Sequence, residues 1–564
     1  MKLSTNIIII ILTVVTLIGA AVRLYKIGEI PWALNRDEAS IGYTAYSLLK
    51  TGADEHGTAW PINVESFGDW KLPAYIYTVI PFVAAFGLEP WVVRLPSAIS
   101  GVLLIPVSFL FVLAWKKKPS TTDLYTGLSA ALFVAFSPWS LRLSRVAYEA
   151  NLALLFATVG IACIVHGLNT KKRWCIPIGV FFSLLTTLTY HTYQVFMPLL
   201  LLSLVVLFRN SITSVIRTNK KVTLTSAVIT TCFAFLLIIG NTASANTTKF
   251  NGLSVFSEST YHFQLFDRRM SFENPTGLPA KLYANSISMI TENVFHNISA
   301  ILSTDFLLIN GGSHGSHDVK GIGNVALPAL LLTLISLAII IYKLYTHSAS
   351  KFETTLLVWF LLSFVAPVIT VEAAHSIRFS PAILIFAVLA AYGLLQVLTH
   401  LSSKKRLVFL SITLFMLFYS FFQTLGTYFV IFPQRDHQTW PWYSRQLSSD
   451  LETLKSQYVK IVMPQVDSSP YIFLLFDWQY DPQKVSEQLS FYPTDEGGFK
   501  HAKSLENISF EPIDWNAFIS SSNPELVFEN KNEFDKQNLQ PGDYTILKKY
   551  ESNNAAATFY LISN

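Results

Sequence analysis

The sequence predicts an all-α polytopic membrane protein of about eleven transmembrane helices, followed by a small soluble α/β domain at the C-terminus. Three observations carry that prediction. Of the 564 residues 51% are hydrophobic and 14% charged, and the mean hydropathy is +0.42. Apolar runs recur that are long enough to cross about 30 Å of hydrocarbon as a helix, whereas the short alternating segments of a closed barrel are absent. Lysines and arginines gather in short clusters at the ends of alternate runs, as in cytoplasmic loops of membrane proteins.

In chain order the predicted spans are 6–22, 92–114, 124–140, 151–168, 174–190, 195–208, 222–240, 324–345, 354–371, 381–399 and 407–431. Residues 6–22 lack a small-residue cleavage site and read as a retained helix. The basic connections Lys116–Lys118, Lys171–Arg173, Arg209–Lys221, Lys343–Lys351 and Lys404–Arg406 fall on the cytoplasmic side. Eleven crossings of a plasma membrane then leave the N-terminus inside and the C-terminal tail outside. The stretch Ala74–Gly87 is too short to cross and would reverse the side of Lys116–Lys118. With Trp70, Tyr75, Tyr77 and Trp91 in or beside it, it reads as an interfacial or re-entrant helix. The net charge of +5 sits in the loop clusters, which implies no nucleic-acid partner. Cys163, Cys175 and Cys232 lie in or beside apolar runs and imply no disulfide framework.

Residues 1–432 therefore form the membrane domain, with a first exterior loop at 23–91 and a larger one at 242–323, and residues 433–564 form an extracytoplasmic domain. In the tail, Val459–Met463, Tyr471–Phe476, Tyr544–Lys548 and Thr558–Ile562 read as strands and Asp481–Leu489 as a helix. The larger loop holds a surface helix near 280–300 and a Gly-rich run, Asn310–Asp318.

Ionisable residues near a bilayer are costly and so default to functional candidates. By this topology they collect at the outer face: Asp37 and Glu38 in Asn35-Arg36-Asp37-Glu38-Ala39, then Lys71, Arg142, Arg145, Glu149, His191, Glu372, His375 and Arg378. A carboxylate can accept the proton of an attacking hydroxyl while cations neutralise a departing phosphate. On that logic Asp37 is the candidate general base, and Lys71 and Arg378 are candidates for a lipid phosphate. Each residue also has a structural reading. Asp37-Glu38 starts a helix and can serve its N-terminus, Arg145 and Glu149 are spaced to pair along one helix face, and Arg378 can reach for headgroups. His191 suits packing as well as binding. His314, His317 and Asp318 have metal-like spacing, but glycines in that run suit close backbone approach to an anionic group better. No metal ligand is assigned, no cofactor is required, and room is left for a divalent cation. Asp54-Glu55-His56 reads as a solvated turn.

The order of these motifs resembles the GT-C membrane glycosyltransferases, in the branch of the protein O-mannosyltransferases and lipid A aminoarabinose transferases (glycosyltransferase family 39-like). The resemblance rests on Asp37-Glu38 after the first span, Lys71-Leu72-Pro73-Ala74-Tyr75, and Arg94-Leu95-Pro96-Ser97-Ala98. Ser137-Pro138 through Glu149, Asp305-Phe306-Leu307 with Asn310-Gly311-Gly312, and His375-Ser376-Ile377-Arg378 extend it over roughly residues 1–430. It implies that Asp37 activates the acceptor, Glu38 shapes the site, Glu149 takes a second acidic role, and Lys71 and Arg378 contact the lipid phosphate. Arg142, Arg145, His191 and His375 complete the expected substrate-binding set. Leu72 departs from the family's Pro-Pro at this point.

The expected function is transfer of a hexosyl or pentosyl group from a polyprenyl-phosphate-linked donor to a hydroxyl of a protein, lipid or glycan acceptor, with inversion. The rival is a transporter or flippase of lipid-linked sugars. That class shows paired broken helices at the bilayer midplane and an internal repeat, and this sequence shows no such repeat.

Overall fold

A computed structural model of the chain describes residues 4–242, 254–435, 440–464, 469–495, 498–552 and 557–564. Among them, eight helices are long and apolar enough to cross a membrane: Thr5–Leu24, Pro90–Ala114, Glu149–Asn169, Lys220–Gly240, Leu327–Tyr345, Lys351–Val368, Ala382–His400 and Ser403–Arg435. The other three expected spans are also helical but shorter or bent. They are Thr121–Ala135, Cys175–Leu185 with a 3₁₀ turn to Leu188, and His191–Leu207, which meets Arg209–Thr218 at 83°. The chain is a multi-pass helical membrane protein. Ala74–Gly87 lies in the 14-residue helix Pro73–Phe86, which is too short to span.

The contacts divide the chain into two compact units: Met1–Tyr25 with Pro96–Tyr428, and Lys26–Leu95 with Phe429–Asn564. In the first unit Ala382–His400 is the central helix, buried at every position from Ala382 to Leu395. A helix apolar all round must be enclosed by others, and it packs on Thr121–Ala135, Leu327–Tyr345 and Lys351–Ser363. Small residues permit the close approach that lipid-embedded helices rely on. A Cβ on Gly393 would lie 2.4 Å from the Leu332 carbonyl, and one on Gly179 would lie 2.5 Å from the Gly160 carbonyl. Helix Thr121–Ala135 stops well short of the predicted 140, because Ser137 caps a new helix, Pro138–Leu143. The carbonyls of Val134 and Ala135 face the break. The fully buried Arg23 satisfies both, at 3.2 and 3.3 Å, and also donates to Ser140 Oγ at 3.0 Å.

In the second unit, the strands are β1 (Val64–Ser66), β2 (Asp69–Lys71), β3 (Lys460–Val462), β4 (Leu489–Phe491), β5 (Ala502–Leu505), β6 (Ile508–Ser509), β7 (Glu525–Asn530), β8 (Thr545–Glu551) and β9 (Thr558–Ser563). β1 and β2 form a hairpin, and the other seven form one sheet in the order β4-β5-β6-β3-β7-β9-β8. β3 runs parallel to both β6 and β7, and the remaining pairs are antiparallel. The expected strands at 459–463, 544–548 and 558–562 and the helix at 481–489 are present. Tyr471–Phe476 is not a strand but part of helix Tyr471–Asp477. Its six residues are all buried, and an apolar run without periodicity does not distinguish the two states. Helix Arg36–Thr51 seats on it through Gly42, where a Cβ would meet the Phe476 ring at 2.5 Å.

Candidate active site

The acidic pair opens helix Arg36–Thr51. Asn35 is its N-cap: Asn35 Oδ1 accepts from Glu38 N at 2.9 Å, and Glu38 Oε2 accepts from Asn35 N at 3.1 Å. This reciprocal capping box satisfies two backbone donors at once. Glu38 is 1% exposed and takes a two-point contact from Arg94, Nε to Oε1 at 2.9 Å and Nη2 to Oε2 at 3.0 Å. Arg94, fully buried, also donates to the carbonyls of Ile27, Pro31 and Ala33 at 2.9, 2.9 and 2.6 Å. Glu38 and Arg94 thus tie the start of the helix to the preceding loop.

Asp37 points elsewhere. Its side chain is 53% exposed, and Oδ1 lies 2.7 Å from Lys71 Nζ, whose own side chain is only 8% exposed. Lys71 ends the β1–β2 hairpin, paired with Val64. The two turn residues, Phe67 and Gly68, have φ of +61° and +80°, as a two-residue hairpin turn requires. The turn is gripped from outside: Lys500 N donates to Phe67 O at 3.0 Å, Lys500 Nζ meets Glu65 at 2.5 Å, and a Cβ on Gly68 would fall 2.2 Å from the Gly498 carbonyl. The Phe67 ring lies under both Arg36 and Lys71, 5.6 and 5.9 Å from its centroid. Leu72, the departure from Pro-Pro, has φ −76° and ψ 145° ahead of Pro73 at N1. A proline would adopt those angles too, so the substitution leaves the backbone as it was.

Glu55 is a residue whose importance the sequence hides. Asp54-Glu55-His56 is not a solvated turn, for Asp54 and Glu55 are 5% and 4% exposed. Asp54 Oδ1 accepts from the backbone of His56 and Thr58 at 3.0 and 2.8 Å, folding the segment inward. Burial pushes the Glu55 carboxyl up to about 8; Asp54 and Glu65 push the same way, while Lys71 and the Tyr471 hydroxyl oppose. Nothing local in Asp-Glu-His-Gly signals this, and beyond Asp54 the groups that act on it come from residues 65, 71 and 471.

In the other unit, Arg142 and Arg145 are buried against groups of the chain itself. Arg142, 2% exposed, donates to Asp318 Oδ1 at 2.8 Å and to the side chain of Asn324. Arg145, fully buried, donates to the carbonyls of Val22 and Arg23 at 2.9 and 3.0 Å, at the end of helix Thr5–Leu24, and stacks over Tyr428. Both arginines meet needs of the fold itself, a buried carboxylate and orphan helix-end carbonyls. The Gly-rich run does approach an anion closely, and the anion is this chain's own Asp318. Cβ atoms on Gly311 and Gly312 would each lie 2.5 Å from an Asp318 oxygen. Among the described residues no group of three His, Cys, Asp or Glu is placed to hold a metal.

His314, His317 and His375 gather in one cluster, with ring centroids 4.0 Å apart for the stacked pair His314–His317 and 4.7 Å for His317–His375. Burial foremost, then the neighbouring His317, Arg378 and His314, holds His375 well below the usual imidazole value. Arg378, its side chain 14% exposed, pairs with Glu372 at 3.1 Å. His191 Nδ1 lies 3.4 Å from Gln194 Oε1. Glu149 begins helix Glu149–Asn169, where the helix dipole favours a carboxylate.

The comparisons bear on the fold. No protein-family profile matches the sequence, and no curated protein sequence matches it. Among solved structures, ArnT from Cupriavidus metallidurans bound to undecaprenyl phosphate superposes with a TM-score of 0.54 at 13% identity, covering 99% of this chain and 98% of that one. The Archaeoglobus fulgidus oligosaccharyltransferase in complex with Zn and sulfate gives 0.51 at 14% identity, over 83% of this chain and 61% of that one. With its helical membrane unit, its small terminal sheet and end-to-end likeness to ArnT, the chain shares the fold of that structure.

Proposed function

We propose that this protein is a membrane glycosyltransferase that moves a sugar from a polyprenyl-phosphate-linked donor to an acceptor hydroxyl at the outer face of the membrane. The observation that carries the reading is the Asp37–Lys71 pair, 2.7 Å apart, set on a capped helix and a gripped hairpin within the fold shared with ArnT. The undecaprenyl phosphate bound in the ArnT structure supports a donor of this class.

The reaction is a single displacement at the anomeric carbon. The acceptor oxygen forms the new C–O bond while its proton passes to the exposed Asp37 carboxylate. The bond from the anomeric carbon to the phosphate oxygen breaks, and its electron pair leaves with the lipid phosphate, which inverts the centre. Lys71 is the cation for that phosphate. Without donor its ammonium is held against Asp37, and a bound phosphate would draw it off the carboxylate as the acceptor arrives. Glu38 and Arg94 fix the helix end that presents Asp37. In the other unit, Glu149, His191, His375 and Arg378 remain the candidates for contacts to sugar and lipid phosphate. The sugar is of the hexosyl or pentosyl class, and the acceptor is a protein, lipid or glycan.

The test is transfer from a radiolabelled polyprenyl-phosphate sugar by the full chain in nanodiscs. Asp37→Asn should abolish transfer while leaving expression and thermal stability intact, and retained turnover removes the base. The proposed orientation, N-terminus cytoplasmic and C-terminus outside, is read by reporters fused after residues 118, 173, 406 and 564. Only the last should report an exterior position.

A further inference from the structure

The C-terminal sheet contains a parallel core. β3 is flanked by β6 and β7, and the chain leaves β6, forms helix Trp515–Ser520 and returns as β7 on the far side of β3. In sheets of this kind, ligands bind in the crevice beyond the carboxyl ends of the strands, where successive connections diverge. A groove of about 580 Å³ lies there. Its walls include Phe510 just after β6, Glu529 near the end of β7, and Tyr492, Trp515, Glu533 and Gln537. The size suits a small-molecule site.

The lining has a chemical bias. Three aromatic side chains offer flat apolar faces, and the polar groups among them are two carboxylates, one amide and the Tyr492 hydroxyl. Neither lysine nor arginine is among the lining residues. Glu529 is 9% exposed and accepts one hydrogen bond, from Asn530 N at 2.7 Å. Among the described residues its second oxygen has no donor, and burial raises its carboxyl. That oxygen keeps solvent access at the groove, so a donor brought by a ligand can reach it and make a charge-assisted hydrogen bond. Glu533, by contrast, is already engaged by Lys536 at 2.6 Å on the surface. A basic peptide would find little open negative charge, whereas phosphate or uronate would meet carboxylates and no lining cation. A pyranose supplies what is missing, with C–H faces for the aromatic rings and hydroxyl donors for Glu529 and Gln537.

We propose that this groove binds a neutral saccharide. That the saccharide belongs to the acceptor rests on the glycosyltransferase reading, but its binding does not.

The full chain in nanodiscs is presented to an array of neutral gluco-, manno- and chito-oligosaccharides, uronate and phosphorylated oligosaccharides, and a lysine-rich peptide. The tightest neutral oligosaccharide is then titrated calorimetrically. Binding to neutral glycans is expected, weakened by about tenfold or more in Trp515→Ala and Glu529→Gln. Trp515 also packs on Phe518 and Phe534, at 5.9 and 5.5 Å, so the exposed Gln537→Ala is read beside it and should weaken binding with the fold untouched. Asp37→Asn should bind glycan as the parent does while losing transfer, whereas a parent chain that binds glycan but transfers from no lipid-linked donor refutes the transferase reading and leaves the groove standing. Failure to bind any neutral glycan, preference for anionic glycans or the peptide, or binding unmoved by Glu529→Gln and Gln537→Ala overturns the proposal.

Discussion

Arg94→Lys tests how firmly the acidic helix is anchored. Arg94 makes five hydrogen bonds, two to Glu38 and three to carbonyls of Ile27, Pro31 and Ala33, and none of the guanidinium reaches solvent. A lysine keeps the charge but offers three donors from a single point, so it cannot match both carboxylate oxygens and three separate carbonyls. The buried Glu38 carboxylate then loses its two-point partner, a change that costs roughly 3–5 kcal/mol when a buried pair is broken. At about 2–4 °C per kcal/mol for a unit of this size, the unfolding transition in nanodiscs should fall by roughly 6 °C or more. Transfer should fall with it even well below that transition, because Asp37 adjoins the loosened residue. Arg94→Met combined with Glu38→Met should recover only part of the loss, since the three carbonyls stay without donors. An Arg94→Lys protein that melts within a degree of the parent would refute the idea that this cluster sets the helix in place.

The remaining predictions follow from the same unit. Gly68→Ala forces a Cβ into a residue at φ +80° and to within 2.2 Å of the Gly498 carbonyl, so the hairpin must lose its grip. Faster hydrogen exchange over residues 64–71 and a higher KM for the lipid-linked donor are expected, and unchanged exchange would refute the grip. For Glu55 the sign is set by a folded-state carboxyl raised to about 8 from an ordinary value near 4.5. The folded state holds the proton more tightly, so stability falls as pH climbs between those values, and the penalty is complete above 8. Glu55→Gln should therefore match the parent at pH 5 and exceed it in thermal stability at pH 9. Equal melting of the two proteins at pH 9 would show that Glu55 carries no such penalty.

What was legible in the sequence was whatever depends on the solvent. Span positions followed from hydrocarbon thickness, and Pro73–Phe86 was recognisable as too short because length alone decides crossing. The start of a helix at the acidic pair followed from local chemistry, whereas the break at Pro138 fell inside the predicted span 124–140. What failed depended on partners distant in the chain. Tyr471–Asp477 has no periodicity because it is buried on all sides, and Asp54-Glu55-His56 looks hydrophilic until residues from elsewhere enclose it. Arg142 and Arg145 show a more general difficulty. The rule that an ion near a membrane has a purpose does not say whether the purpose is a ligand or the fold. Arg142 finds Asp318 176 residues away, and Arg145 finds the last carbonyls of the first helix. Both are buried and held by groups of the chain itself. Lys71 differs in the one respect that matters. Its ammonium is sheltered, but the carboxylate it touches is half open to solvent. In the proposed reading, an incoming phosphate can compete there for the cation and an incoming hydroxyl can reach the base. Exposure of the carboxylate and shelter of the cation, more than charge alone, set the proposed Asp37–Lys71 pair apart from Arg142 and Arg145, and Arg378 against the exposed Glu372 shares that arrangement.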